Sequence, residues 1–333
     1  MVVKILITIA LATSLCPADT HAQTATPYDF ALFNSSKASW QSEVEALKSF
    51  LRATNQSFEE IDARMIQSGH LNLERHRALL IPGGLVGNLS HELAATGAEN
   101  IRRFIQAGGG YLGICAGAAI AASQFEVALE PNPQKGLYKP NDYFNTRYPH
   151  LLGLWPGEAR SPYAWAPFQE GARIERVSLT KHAPLAAGSS TNTQMFYLAG
   201  PSLPIGSWAI NGMPRGFEAW GLLEPPDGID IPPTRRAAIV KFQYGQGSVV
   251  LFAHHPIIPV ADGRPVDFVS QPETLEKAMS RAPEADQNWT NWNLLKSAMQ
   301  AVTRMKPEAL KPKETLLRMG ASSKRCERLF QGY

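Results

Sequence analysis

The chain has 333 residues, of which 44% are apolar and 18% charged, a balance typical of globular proteins that bury a full hydrophobic core. Its formal net charge is +3, and its body has no basic patch with interleaved aromatic residues, which argues against nucleic-acid binding. Only three cysteines are present and none forms a C-x-x-C pair. This cysteine usage excludes a disulfide scaffold and gives no sign of a zinc-ligand cluster.

The first 22 residues have the pattern of a secretory signal peptide. A positive charge at Lys4 precedes an apolar run over residues 5–15, and small residues precede a cleavage point after Ala22. That run is too short to span a bilayer, and no later segment is long and apolar enough to do so. We expect an exported, secreted or periplasmic chain. A lipid anchor on Cys16 is disfavoured, because the residue before it is a bulky leucine.

Strands alternate with helices along the mature chain. Apolar periodicity predicts, in order, a strand at 28–33, a helix from Trp40 to Leu51, strands at 58–63 and 78–82, and a helix carrying Ile101, Phe104 and Ile105 that ends at Gly108. Further strand-like runs lie at 174–179, 195–198, 237–242 and 248–252. This alternation predicts a parallel sheet with helices on both faces, whose ligands bind beyond the carboxyl ends of the strands. The loops at Asn34, Gly83 and Cys115 lie at that edge.

Residues 107–123, A-G-G-G-Y-L-G-I-C-A-G-A-A-I-A-A-S, predict a strand, a sharp turn and a helix, with Cys115 on the turn. A residue at such an elbow projects its side chain above the sheet, and small neighbours let the chain pass without clashes. The N-terminus of the following helix favours the thiolate, the form that attacks a carbonyl carbon. Cys115 is therefore a candidate nucleophile. The alternative is a small buried hydrophobic residue at a tight helix–strand contact.

Residues 131–172 are less regular and are rich in proline, glycine and aromatic side chains. They are interpreted either as a loop that walls a substrate cleft or as a well-packed surface insertion.

The last predicted strand ends in V-V-L-F-A-H-H-P, which places His254 and His255 before Pro256. A histidine at the carboxyl end of a strand can approach Cys115 across the sheet edge and act as its general base. Adjacent side chains of an extended strand point to opposite sides, so at most one of the two faces the thiol. The alternative is that both histidines are structural.

Two regions end the chain. An apolar stripe over residues 290–305 predicts a helix that closes the domain, with Thr290 or Asn291 as its N-cap. Residues 304–333 carry eight Lys or Arg against three Asp or Glu. We expect this basic tail to be a solvated extension; a weak contact with an anionic membrane surface or a protein is the alternative. Cys326, within the tail, has no motif around it.

Three motifs together resemble the class I glutamine amidotransferase-like superfamily. They are I-P-G-G at 81–84, G-G-G-Y-L-G-I-C-A-G-A at 108–118 and the strand ending in H-H-P at 254–256. The order and spacing, including Y-L-A-G-P at 197–201, are most similar to the N-terminal domain of eukaryotic biotin–protein ligases and its exported bacterial relatives. We expect this domain to occupy residues 27–303 and no ligase catalytic domain to follow it.

The resemblance implies a flavodoxin-like three-layer α/β sandwich with a mostly parallel sheet and a Cys–His(–Glu) centre. By its position in the sequence, Cys115 is similar to the catalytic nucleophile of this superfamily, and His255 is similar to its general base. The backbone at Gly83, Gly84 and Ala116 corresponds to the oxyanion hole, a role that needs no side chain.

One position departs from the family pattern. Members with the full triad carry Glu directly after His-Pro, whereas this chain has Ile257, which cannot accept a hydrogen bond from the imidazole. Three alternatives follow. Asp262 or Asp267 takes the place of the missing glutamate, or Cys115 and His255 work as a dyad, or the centre is catalytically inactive. His254 is a further candidate for a compensating residue.

Two function classes stay open. The first is an exported thiol-dependent hydrolase or acyltransferase that acts on a small amide, ester or peptide bond through Cys115, with His255 as base. The second is an inactive amidotransferase-like fold that serves as a periplasmic ligand-binding or scaffold protein. The sequence implies no metal ion or organic cofactor for either class, and the expected partner is a small-molecule or peptide ligand.

Overall fold

The computed structural model describes residues 26–127, 148–161, 172–184, 191–198, 200–205, 212–225, 233–258, 260–261, 264–265 and 287–304. The predicted signal peptide, Asp262, Asp267 and nearly all of the basic tail, with Cys326, lie outside these residues. So does most of the aromatic stretch 131–172, although residues 155–161 within it form a strand.

The described strands are β1 (Tyr28–Phe33), β2 (Phe58–Ile61), β3 (His76–Ile81), β4 (Gly110–Ile114), β5 (Ala122–Val127), β6 (Trp155–Ser161), β7 (Ala172–Leu179), β8 (Asn192–Leu198), β9 (Glu218–Leu223), β10 (Ala237–Tyr244), β11 (Gly247–Phe252), β12 (Val260–Ala261) and β13 (Arg264–Pro265). The described helices are α1 (Gln41–Ala53), α2 (Ala63–Gln67), α3 (Val86–Gln106), α4 (Ala116–Ile120) and α5 (Gln287–Thr303).

Nine of the described strands form one central sheet, in the order β2, β1, β3, β4, β11, β10, β9, β7, β8. Neighbours from β2 to β11 pair in parallel, and within this sheet only β10 and β7 run against the other strands. Apolar side chains of α1 and α5 pack on one face, and those of α2 and α3 pack on the other. The predicted three-layer, flavodoxin-like sandwich with a mostly parallel sheet is therefore confirmed.

Apolar periodicity locates most of these elements, with differences at their ends. The strand predicted at 58–63 stops at Ile61, because Asp62 caps α2 by accepting a hydrogen bond from the Met65 N–H at 2.8 Å. Apolar periodicity does not predict the strand β9, E-A-W-G-L-L, because this strand is short and contains a glycine.

The predicted N-cap of the last helix is wrong. Helix α5 begins at Gln287, so Thr290 and Asn291 lie inside its first turns. The Asn291 side chain accepts a hydrogen bond from the Thr193 hydroxyl at 2.6 Å and donates one to the carbonyl of Gln194 at 2.7 Å. Asn291 therefore joins α5 to β8, a tertiary role that a helix pattern does not reveal.

Among the described residues, no helix is both long and apolar enough to cross a membrane.

The turn between β4 and α4 is packed too tightly for larger side chains. A Cβ atom at Gly117 would lie 2.2 Å from the carbonyl oxygen of Ile81, so α4 can approach β3 only with glycine there. Tyr111, fully buried in β4, donates its hydroxyl to the Gly117 carbonyl at 2.6 Å. Burial also raises the pKa of Tyr111 well above its usual value, which keeps the hydroxyl protonated as a donor. This hydrogen bond holds the first turn of α4 against the sheet.

We predict that Tyr111→Phe lowers the free energy of unfolding by about 1–3 kcal/mol, because it leaves a buried carbonyl without its donor. Urea denaturation measures the change. Tyr28→Phe is the matched control, since Tyr28 is 40% exposed and should change stability by less than about 0.5 kcal/mol. Equal stability of the two variants would show that the Tyr111 hydroxyl does not support the turn.

Candidate active site

Cys115 occupies a strained turn at the carboxyl end of β4. Its backbone angles are φ 51° and ψ −105°, a region that residues other than glycine rarely adopt. Its N–H donates to the Phe252 carbonyl at 2.8 Å, and its carbonyl accepts the N–H groups of Ala118 and Ala119 at 2.9 Å. The turn is thus held from β11 on one side and from α4 on the other. Such over-determined strain is typical of a nucleophile elbow.

His255 lies three residues beyond β11 and pairs with the edge strand β8. Its N–H donates to the Phe196 carbonyl at 2.9 Å in an isolated antiparallel bridge. The Cys115 thiol contacts the same strand, with its sulfur 3.5 Å from the Leu198 carbonyl oxygen. The last strand in the sheet order therefore returns over the carboxyl ends of β4 and β11 and encloses the thiol, which is only 6% exposed.

Glu43 supplies the carboxylate that sequence reasoning failed to place. It is fully buried in the first turn of α1, where the helix dipole favours a negative charge. Its Oε1 lies 2.8 Å from Nδ1 of His255, and its Oε2 accepts the Gly83 N–H at 2.5 Å. The carboxylate on the imidazole therefore comes from the first helix and not from the segment that follows Pro256.

Gly83 fits closely around this pair. A Cβ atom there would lie 2.6 Å from Cε1 of His255 and 2.7 Å from Oε2 of Glu43, so a larger residue would displace both. Because the Gly83 N–H already donates to Glu43, it is not free to bind an oxyanion. The N–H groups of Gly84 and Ala116, by contrast, have no hydrogen-bond partner within the described ranges.

The charge state of His255 follows from its surroundings. Burial alone would lower the pKa of His255, but the charges of Glu43 and Cys115 raise it to about 10. Nε2 of His255 makes no hydrogen bond in the described part of the chain, although Cys115 lies close enough to raise the pKa of the ring. Aromatic rings exclude water: Trp40 lies edge-on at 5.1 Å and Phe196 at 5.6 Å, centroid to centroid. His255 is therefore a buried imidazolium at neutral pH.

His254 belongs to a second, separate pair. Its Nε2 lies 2.9 Å from Oε2 of Glu175, a residue of β7, and its ring packs 5.5 Å from Tyr197. Alternation along the extended chain explains why the two histidines have different partners. No contact brings His254 to Cys115 among the described residues.

The arrangement can carry acyl chemistry. A thiol at an elbow, an imidazolium beside it and a carboxylate on the far ring nitrogen are the parts of a cysteine nucleophile with an oriented base. The sequence does contain a signal for the carboxylate. Glu43 falls on the apolar stripe of α1, four residues before Leu47 and seven before Phe50, and a carboxylate on a buried face needs a partner.

The family model for the N-terminal region of biotin–protein ligase matches residues 33–319. The chain belongs to this family. The matched residues include Glu43, Gly83, the Cys115 elbow and His255, and they extend into the basic tail. The predicted resemblance to this family is therefore confirmed.

Other similarities to this member of the biotin–protein ligase N-terminal family are partial or distant. An uncharacterized protein of Chlamydia muridarum (strain MoPn / Nigg) is 36% identical over 89 residues, which span 27% of this chain and 30% of that protein. The match to a glutamine amidotransferase structure from Thermotoga maritima covers 83% of this chain and 98% of that chain at 13% identity, with a TM-score of 0.44. A cytoplasmic protein of Salmonella typhimurium LT2 covers 80% and 98% at 14% identity, with a TM-score of 0.38.

We predict a pH-dependent contribution of His255 to stability. Its pKa is raised from 6.5 to about 10 on folding, so the stabilisation is fully present below pH 6.5 and is lost as the pH rises through about 10. The difference in free energy of unfolding between wild type and His255→Gln should shrink over that interval, as measured by urea denaturation at each pH. His91→Gln, at an exposed position of α3, is the control and should show no comparable trend. A difference that does not change over this range would contradict a buried imidazolium.

Proposed function

We propose that the chain is an exported thiol-dependent hydrolase or acyltransferase that acts on a small amide, ester or peptide bond through Cys115. The observation that carries the proposal is the buried chain of Glu43, His255 and Cys115, in which the carboxylate lies 2.8 Å from the imidazole and both charges raise the imidazole pKa. A site without a catalytic use would gain little from a fully buried carboxylate and imidazolium, because burying charges is unfavourable unless they are paired.

In the proposed mechanism, the thiol proton already rests on His255 as part of the imidazolium, and Cys115 attacks as thiolate. The new bond joins sulfur to the carbonyl carbon, and the electron pair of the carbonyl moves to oxygen. The N–H groups of Gly84 and Ala116 are the candidates to stabilise that oxyanion. When the carbon–nitrogen or carbon–oxygen bond breaks, the leaving group takes the proton from His255 and a thioester remains on Cys115.

The thioester is then released by a second nucleophile. Water, or an acceptor amine or alcohol, gives its proton to His255 and its oxygen or nitrogen to the acyl carbon, and the thiol leaves as thiolate. Glu43 keeps its bond to Nδ1 throughout, so that Nε2 faces the reacting groups. Hydrolysis and acyl transfer differ only in this acceptor.

The enclosure of the site favours a small acyl group. Cys115 is 6% exposed, and the Leu198 carbonyl covers its sulfur. Trp40, partly buried beside His255, narrows the approach further. Export is part of the proposal and is supported by the charged, then apolar, pattern of residues 1–22.

The test is the rate of Cys115 alkylation by iodoacetamide at pH 7, followed by peptide mass spectrometry. We expect the wild-type thiol to react much faster than a free cysteine, because the neighbouring imidazolium favours the nucleophilic thiolate. His255→Ala and Glu43→Gln should slow the reaction, because each removes positive charge from the site beside the thiol. Glu175→Gln is the matched control, since it disturbs the His254 pair and should leave the rate unchanged.

The same variants test acyl transfer. A small activated ester should leave an acyl group on the Cys115 peptide of wild type, in far lower yield in His255→Ala. A thiol that reacts no faster than a free cysteine, and that takes no acyl group, would contradict the enzyme proposal and favour a ligand-binding or scaffold protein.

A further inference from the structure

A second group of polar side chains lies near the amino end of the sheet. Glu59 of β2, His70 in the segment after α2 and His76, the first residue of β3, place one ligand atom each within 4.8 Å of the others. Oε2 of Glu59 lies 2.8 Å from Nε2 of His76 and 3.1 Å from Nε2 of His70. Three different elements therefore direct their side chains to one point.

The donor types and spacing suit a divalent transition metal. Two imidazole nitrogens and one carboxylate oxygen are ligands that Zn²⁺ accepts. Bonds of about 2.0–2.1 Å at tetrahedral angles separate neighbouring ligand atoms by about 3.3 Å, so only small side-chain movements are needed for these three atoms to share one ion. Three protein ligands leave a fourth position for water.

The surrounding contacts hold the ligands in this arrangement. His76 is fully buried, and the ring of Tyr28 stacks on it at 6.1 Å with an interplanar angle of 24°. The Arg75 guanidinium lies 3.3 Å from Oε1 of Glu59, which leaves Oε2 directed at both imidazoles. Nδ1 of His76 is buried and has no hydrogen-bond partner among the described residues. Binding through Nε2 therefore sacrifices no contact of His76 other than the one to Glu59.

We propose that Glu59, His70 and His76 form a site for Zn²⁺ or a similar divalent transition-metal ion. The site is distinct from the cysteine centre: His76 begins β3, whereas Ile81 at the other end of that strand pairs with Gly113, close to Cys115. A bound ion would tie the edge strand β2 to the start of β3 through the segment that carries His70. The site therefore stabilises the fold and takes no part in the proposed acyl chemistry.

The test uses the full chain carrying Cys115→Ser, so that zinc bound by the active-site thiol does not contribute. Isothermal titration with ZnCl₂ should show one tight site in this protein. His70→Ala in the same background should weaken binding by at least about 100-fold, because loss even of a group that only supports a ligand weakens metal sites by about 10–100-fold. His91→Ala, which removes an exposed histidine of α3, is the matched control and should bind as tightly as the parent.

Thermal unfolding gives a second readout. Zn²⁺ should raise the melting temperature of the parent and of His91→Ala, and should not raise that of His70→Ala or Glu59→Gln. Melting curves without metal establish that the two ligand variants are folded. Absence of tight binding to the parent, or unchanged zinc affinity in both ligand variants, would overturn the proposal and leave the cluster as a carboxylate hydrogen-bonded by two imidazoles.

Discussion

The hydrogen bond between Glu43 and His255 joins the first helix of the domain to the chain just beyond its last sheet strand. Both side chains are almost completely withdrawn from water, and a buried charge is tolerated only when it is paired and hydrogen-bonded. Glu43 meets this condition with one oxygen on the imidazole and the other on the Gly83 N–H. Removal of either partner would leave the other as an uncompensated buried charge.

The strands beyond β11, which pair with one another in antiparallel fashion, complete this site. Without β8 the carboxyl ends of β4 and β11 would open to solvent, and the charges on Glu43 and His255 would be screened. The bridge from Phe196 to His255 places the Phe196 ring against the imidazole and the Leu198 carbonyl beside the thiol. The strands that extend the sheet beyond β11 thus limit both the access of water to the site and the space around the thiol. The proposed substrate must fit within that space.

Local signals in the sequence predict the fold and two residues of the candidate site, Cys115 and His255. The glycines around Cys115 and the alternation of strands and helices report short-range sterics and burial, which depend on neighbours in the chain. Glu43 is different, because its partner is 212 residues away and the family pattern directs attention to the position of Ile257. The Glu59, His70 and His76 cluster is hidden for the same reason: its members belong to separate elements, and their spacing matches no compact metal-binding motif. In both cases, long-range packing supplied what periodicity could not.

The protonation state of His255 is the property of the site that an experiment can check most directly. Nuclear magnetic resonance of protein with isotope-labelled histidine follows both ring nitrogens against pH, and the spectrum of His255→Gln assigns the signal. We predict a charged ring at neutral pH that loses its proton only near pH 10, and a loss at lower pH in Glu43→Gln. A ring that is neutral at pH 7 in wild type, or a titration that Glu43→Gln does not change, would contradict the central role of the Glu43–His255 pair.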